Sequence, residues 1–348
     1  MICPHCAQNL LRKERPNMTC SKCHRVYAFD PKGNALRLHD LRVRRLVQKL
    51  SGDGQLSVSV SQLWFAASRR TRQQGSDLPG TLGCSAVAVV VGCGLIALGV
   101  SIGEEAAVAT AFGGLFLVGT VIALIVSAAA RRKRRQALPY DHFNALMMAR
   151  WMVVYGALPT GVVDERVLKG VVRPERPAAV LLCPDTSIAA FLAANGVPQR
   201  YGLALVTDVA GVRDVPGEAP VIVLHHADPF GCRLTGLVRE ALPGRRVVDA
   251  GMPPRSVMNV PNALPLRGEK PRPEVVAALK GVSATGALTG AEVAWLADGY
   301  TGTLAAVPPA KLLATVTRVV ERVAGTGVPA DQRAKDLGFL TWPVEGAA

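Results

Sequence analysis

Charge is missing from two long stretches of this sequence. No Asp, Glu, Lys, Arg or His occurs from Thr81 to Ile102 (TLGCSAVAVVVGCGLIALGVSI) or from Ala106 to Ala130 (AAVATAFGGLFLVGTVIALIVSAAA). Runs without ionisable groups exclude a proton or ion path through them. Acidic residues are also few: 26 Asp plus Glu stand against 40 Lys plus Arg, a formal net charge of +14. That balance suits nucleic acid or an anionic membrane face and does not choose between them. The opening residues, MICPHCAQNLLRKERP, lack the apolar core of a cleavable signal peptide. A reducing compartment is the expectation, and the eight cysteines are not read as a disulfide framework. No internal repeat is evident. At 348 residues the chain is long enough for two or three domains.

Each uncharged run exceeds the roughly 20 residues that cross a bilayer core as a helix. Only Gly103, Glu104 and Glu105 separate them. The expectation is a transmembrane hairpin over 81–130, with spans at 81–102 and 106–130. Arg69, Arg70 and Arg72 precede it and Arg131, Arg132, Lys133, Arg134 and Arg135 follow, which places both termini in the cytoplasm of a two-span cell-membrane protein. The lipid bilayer is then one partner. Gly92, Gly94, Gly99, Gly113, Gly114 and Gly119 would allow close helix packing, including a homo-oligomer.

Within residues 1–30, Cys3, Cys6, Cys20 and Cys23 read C-x2-C, thirteen residues, C-x2-C. Two such knuckles supply the four thiolates of a closed tetrahedral zinc site with no open position, so zinc is expected as a structural ion. So short a segment cannot bury enough apolar surface to fold unaided, and metal binding would contribute much of its folding free energy. His5 and His24 read as exposed neighbours, and Cys84, Cys93, Cys183 and Cys232 as small buried residues.

Residues 31–75 read as a basic helical, winged-helix-like segment. In LHDLRVRRLVQKL (38–50) the apolar residues share one helical face, and Arg42, Arg44, Arg45 and Lys49 lie mostly off it. A Ser-Gly-Asp-Gly turn, a short alternating stretch and a second helix, SQLWFAASRRTR, follow. The basic faces fit nucleic acid, another protein or lipid headgroups equally.

After a helical connector, 137–177, strands and helices alternate over 178–260. AVLLC (179–183), LALVT (203–207), PVIVLHH (220–226) and RRVVDAG (245–251) read as strands, with helices over Ser187–Asn195 and Leu234–Leu242. The fold class is therefore multidomain: zinc ribbon, transmembrane hairpin, and a C-terminal α/β domain with a mostly parallel sheet of Toprim or Rossmann-like kind. Ligands of such sheets bind beyond the carboxyl ends of the strands. Asp185, Thr186 and Ser187 follow the first strand, Thr207 and Asp208 the second, and His225, His226, Asp228 and Arg233 the third. These are either a site or, for Asp185 and Asp228, caps of the following helices. Residues 275–325 read as helical, with a capping box at Thr289 and Glu292.

The stretch PVIVLHHADPFG, followed by a helix and VVDAGMPP, resembles the metal-binding turn of Toprim domains, especially those of the topoisomerase VI A subunit family. The likeness covers residues 178–257. In that family an Asp-x-Asp-Pro-x-Gly sequence ends a strand and an acidic residue follows the first strand, where this chain has Asp185. A weaker likeness joins SVSVSQLWFAASRR to the helix carrying the DNA-cleaving tyrosine, with Phe65 at that position. The resemblance implies Mg²⁺ held by strand-end carboxylates, with Asp185, His226 and Asp228 as the catalytic candidates. The departures count against it, because His226 replaces an oxygen ligand by nitrogen and Phe65 has no hydroxyl to attack phosphorus. The expected function is a membrane-anchored, non-catalytic binding or adaptor protein. The alternative is a Mg²⁺-dependent phosphoryl-transfer or nuclease-type enzyme acting on nucleic acid.

Overall fold

In the computed structural model, the described residues are 1–73, 119, 121–122, 138–258, 260 and 263–324. They fall into two units, Met1–Asp40 with Ala66–Val154, and Leu41–Phe65 with Tyr155–Ala348.

The first unit opens with the two cysteine knuckles. Each closes with an antiparallel bridge, Ile2 to Asn9 and Thr19 to Val26. Tyr27, Ala28 and Phe29 leave the second knuckle fully buried or nearly so. Asp40, itself buried, accepts from the amides of Ala28 and Phe29 at 2.8 Å each. In the same unit Tyr140–His142 runs through a π-helical stretch, Phe143–Met148, into a helix that reaches Tyr155. Its Trp151 ring lies 5.8 Å from that of Phe29, and Arg150 donates to the Ala28 carbonyl at 2.9 Å.

The second unit is a three-layer α/β domain. Its sheet is built from β3 (Ala179–Leu182), β4 (Leu203–Val206), β5 (Val221–Val223) and β6 (Val247–Asp249), all parallel, in the order β4-β3-β5-β6. Every residue of β3 is inaccessible to solvent, as a central strand covered on both faces requires. Side chains alternate between the faces with the period of a strand. Ala179, Leu181, Leu203 and Ile222 join one core with Ile188, Phe191, Leu312, Val316 and Val320. Val180, Leu182, Ala204, Val221 and Val223 join the other with Val212, Leu234 and Val238. The covering helices are α4 (Thr186–Ala194) and α11 (Pro309–Ala324) on the first face, and α6 (Val209–Arg213) and α7 (Gly231–Ala241) on the second. α5 (Val197–Tyr201) links α4 to β4.

Other parts of the chain attach to this core. β1 (Val58–Ser59) pairs in parallel with β2 (Val162–Val163), a strand with no counterpart in the sequence reading. α1 (Asp40–Leu50) and α2 (Val60–Gln73) flank β1 in the chain, near the expected helical runs. Asn195 accepts from the Ser57 amide at 3.1 Å, and the Ser187 hydroxyl accepts from the Ser61 amide at 3.2 Å, so β1 and the start of α2 are tied to both ends of α4. The helix from Ala149 to Tyr155 is α3, α8 is Arg255–Met258, α9 is Pro273–Ala284, and α10 is Gly290–Ala297. α10 carries the expected capping box: Thr289 Oγ1 accepts from the Glu292 amide at 3.2 Å, and Glu292 accepts from the Thr289 amide at 2.8 Å.

The expected transmembrane hairpin is corrected. Among the described residues no helix is long and apolar enough to cross a membrane. α11, at 16 residues, is shorter than a span and carries Lys311, Arg318, Glu321 and Arg322. The multidomain architecture with a membrane hairpin and the two-span placement with both termini cytoplasmic are therefore withdrawn. Residues 81–130, on which the hairpin was placed, lie outside the described residues except for Gly119, Val121 and Ile122. Cys84 and Cys93 lie outside them too.

Replacing Asp40 by Ala would leave the amides of Ala28 and Phe29 buried and unpaired. Such groups cost about 1–3 kcal/mol each. Asp40→Ala should therefore lower the urea midpoint of the first unit's transition well beyond Asp40→Asn, which keeps one acceptor, and equal midpoints for the two variants would contradict this role.

Candidate functional site

Two sites follow from the fold: the cysteine cluster of the first unit and the carboxyl end of the sheet in the second.

The four sulfurs of Cys3, Cys6, Cys20 and Cys23 all lie within 4.8 Å of one another. Cys3 Sγ is 3.8 Å from Cys23 Sγ, and Cys6 Sγ is 3.8 Å from Cys20 Sγ. A disulfide would need about 2.05 Å, so these are not oxidised pairs. A tetrahedron with metal–sulfur bonds of about 2.3 Å has edges of about 3.8 Å, and these two distances match that figure. The knuckles are built alike. His5 and Lys22 direct their amides at Cys3 Sγ and Cys20 Sγ, each at 3.4 Å. Ala7 and His24, at φ 59° and 55°, donate to the carbonyls of Cys3 and Cys20 at 3.1 and 2.8 Å. His5 is not a ligand, since its Nε2 meets the Val26 carbonyl at 2.9 Å and braces one knuckle against the other. The cluster can hold a metal ion.

At the sheet, the chain passes from β3 to one side and returns to the other, so the topological switch point lies between β3 and β5. Asp185 and His226 meet there. His226 Nε2 is 2.9 Å from Asp185 Oδ2, and His226 Nδ1 accepts from the Leu304 amide at 3.0 Å. An acceptor at Nδ1 places the ring proton on Nε2, which donates to Asp185. Asp185 Oδ1 in turn accepts from the amides of Ser187 and Ile188 at 2.9 and 3.1 Å, capping α4. Both ring nitrogens and both carboxylate oxygens are therefore engaged within the fold.

The other aspartates at the strand ends also start helices. Asp208 Oδ1 accepts from the Gly211 amide at 2.7 Å, and Asp228 Oδ1 from the Gly231 amide at 2.6 Å. The structure thus brings Asp185 and His226 together, while Asp228 serves the turn into α7. Among the described residues, the cysteine cluster is the group of His, Cys, Asp and Glu side chains placed to share a metal ion. A cavity of about 270 Å³ opens beyond β4, lined by Leu168, Arg173, Leu205, Thr207 and Asp208 among others. It lies at the edge strand, away from the Asp185–His226 contact.

The neighbour of that contact, His225, is 6% exposed. Its Nδ1 lies 2.7 Å from the His226 carbonyl and its Nε2 3.1 Å from Asp249 Oδ1. Both partners are acceptors, so the protonated ring is the form that can donate from both nitrogens. Burial opposes that charge, but the hydrogen bond and attraction of Asp249, the His226 carbonyl and the Asp228 charge outweigh it and raise the pKa above its ordinary 6.5. For Asp249, burial pushes the other way, and the His225 bond and charge with the Gly251 amide hold it below its ordinary 3.8. Two glycines make room for the ring: a Cβ on Gly251 would fall on the His225 imidazole, and one on Gly231 would strike the His226 carbonyl oxygen and approach His225 Nδ1 at 2.9 Å. Sequence reasoning placed His225 at the strand end but missed Asp249, whose only signal was an acid at the close of the fourth strand.

The cysteines nearby are not nucleophiles. Cys183 is fully buried, and burial pushes its thiol up; burial also pushes the Cys232 thiol up, to about 12. Phe65, at the position matched to the cleaving tyrosine, lies in α2 and is 8% exposed. No family model, no curated protein and no solved structure matches this chain.

The His225–Asp249 pair gives a pH signature. The contribution of His225 is fully present below 6.5 and is lost as pH rises through its raised folded value. That of Asp249 is present above 3.8 and is lost as pH falls through its lowered folded value. Stability from this pair should therefore peak between 3.8 and 6.5. Urea denaturation from pH 4 to 9 should show an alkaline decline that is much reduced in His225→Gln; an unchanged decline would count against the imidazolium. Gly251→Ala should destabilise by about 1–3 kcal/mol at every pH through overpacking.

Proposed function

We propose that this protein is a non-catalytic binding or adaptor protein, in which a structural zinc ribbon precedes an α/β domain that has a Toprim-like scaffold without Toprim metal chemistry. The observation that carries this reading is the closed pair of Asp185 and His226. A Mg²⁺ site needs several free oxygen ligands in near-octahedral array. Here one carboxylate caps a helix and accepts from a ring N–H, the second position presents that N–H, and Asp228 is turned to an amide of its own loop. Without a hydroxyl at Phe65 there is also no side-chain nucleophile at the position the likeness would require.

The choice of zinc rests on ligand chemistry. Four thiolates in tetrahedral array suit zinc over hard ions, and with all four positions filled by cysteine no coordination site is left for a water or substrate. Zinc therefore holds the ribbon together, and the ribbon and the α/β domain present surfaces to a partner, nucleic acid or protein.

Purified full-length chain should contain about one zinc per molecule, and Cys20→Ser should lose the metal together with the ribbon's share of the folded signal. Calorimetric titration with Mg²⁺ and Mn²⁺ should show no specific binding at millimolar metal. Heat of binding that disappears in Asp228→Ala, accompanied by metal-dependent cleavage of nucleic acid, would replace this reading by the nuclease-type enzyme.

A further inference from the structure

Residues 1–40 contain three acidic side chains, and the fold engages each of them. Asp40 is buried under the amides of Ala28 and Phe29. Asp30 pairs with the buried Arg15 at 2.5 Å and accepts from the Lys32 amide at 2.8 Å. Glu14 accepts from the Leu11 amide at 2.8 Å and lies 3.7 Å from Lys22 Nζ. Against these stand Arg12, Lys13, Lys22, Arg25, Lys32 and Arg37, all exposed. The ribbon therefore draws its negative charge inward and displays its positive charge.

Part of that positive charge is gathered in one place. The turn Arg12–Glu14 carries Arg12 and Lys13. The Ser21 amide donates to the Glu14 carbonyl at 3.0 Å, which sets the tip of the second knuckle against this turn and brings Lys22 beside it. Leu11, 60% exposed, starts the same turn. We infer that this face of the ribbon, formed by Arg12, Lys13 and Lys22 around the Leu11 turn, docks the phosphate backbone of a nucleic acid without reading its base sequence. This inference rests on the reading of the chain as a binding protein and names the partner of its ribbon.

The charge pattern favours phosphate, since closely set cations release the counterions condensed on a polynucleotide and gain affinity by doing so. Backbone contacts position a protein but carry no sequence information. The phenyl and phenol rings of residues 1–40 are those of Phe29 and Tyr27, at 4% and 0% exposure. The ribbon thus presents no Phe, Tyr or Trp ring for a base to stack on or to lodge among lipid headgroups.

The test is fluorescence anisotropy of the full chain with a labelled 20-base-pair duplex across a salt series, beside a scrambled duplex. Contact with about three phosphates predicts a log–log slope of affinity against salt near −2.7, equal affinity for both duplexes, and at least a tenfold loss in R12Q/K13Q/K22Q. Since Lys22 lies between two ligand cysteines, R12Q/K13Q alone, with its metal content measured, keeps the test valid if the triple variant loses metal; it should still weaken binding and flatten the slope. No binding at low salt, binding indifferent to salt or to these variants, or displacement by poly-glutamate as effective as by unlabelled duplex would overturn the inference, as would binding to phosphatidylserine vesicles without binding to the duplex. Cleavage of the duplex in the same mixture with Mg²⁺ would refute the non-catalytic reading and leave the docking face standing, whereas absent binding without cleavage would do the reverse.

Discussion

The turn that follows β5 is held by its own two histidine rings, and the carboxyl end of the sheet takes its shape from them. His225 points inward, where it donates to the carbonyl of His226 and to Asp249 at the end of β6. His226 spans the neighbouring gap, joining Asp185 at the end of β3 to the amide of Leu304. Adjacent residues thus tie three parallel strands and a distant segment to one turn. The backbone completes the tie, with Ala227 and Gly302 exchanging hydrogen bonds of 2.9 and 2.8 Å.

Such an arrangement needs close approach. Side chains at Gly231 and Gly251 would collide with the turn or its ring, and a Cβ on Gly302 would lie 2.6 Å from Val257 Cγ2. The three glycines come from α7, from the loop after β6 and from the loop after β8 (Tyr300–Thr301), the strand that pairs antiparallel with β7 (Leu266–Arg267). Absence of a side chain at each lets the polar groups reach one another, and removing Asp249 would leave the charge of the buried His225 ring uncompensated. Asp185, His225, His226 and Asp228 are accordingly engaged in bracing the turn and the helix starts.

Much of the α/β domain was legible because its signals are local. The alternation in AVLL and LALV sorts side chains between the two cores, and the strand-end aspartates announce helix starts that the structure realises at α4 and α7. The cysteine spacing likewise fixed a cluster whose four sulfurs do converge. What escaped is non-local. The partner of His226 Nδ1 is a backbone amide on Leu304, and β1 finds its partner at Val162–Val163; neither pairing leaves a mark in the residues near it. The α7 start was placed at Leu234 by its apolar pattern, whereas the helix begins at Gly231, because the Asp228 carboxylate and the close packing of Gly231 set the boundary there. The hairpin expectation came from two uncharged runs, the short separator between them and the basic clusters around them, all on residues that lie almost wholly outside the described ones.

The two sites put polar groups to opposite uses. At the sheet, a histidine and a carboxylate meet edge to edge, neutral ring N–H to anion, and an ion entering between them would have to displace a hydrogen bond made by each and uncap α4. In the ribbon, the four sulfurs have amide donors from His5 and Lys22 on one side and one another on the other, at spacings that no bond between cysteines accounts for. Four thiolates held that close would repel one another, and a cation at the centre, which the cluster can hold, would offset that repulsion. A closed tetrathiolate centre around a divalent ion retains two negative charges, and the exposed lysines and arginines of the ribbon outnumber them. With a divalent ion in place, charge compensation of the cluster would not exhaust the positive surface, and the surplus is what an anionic partner would meet.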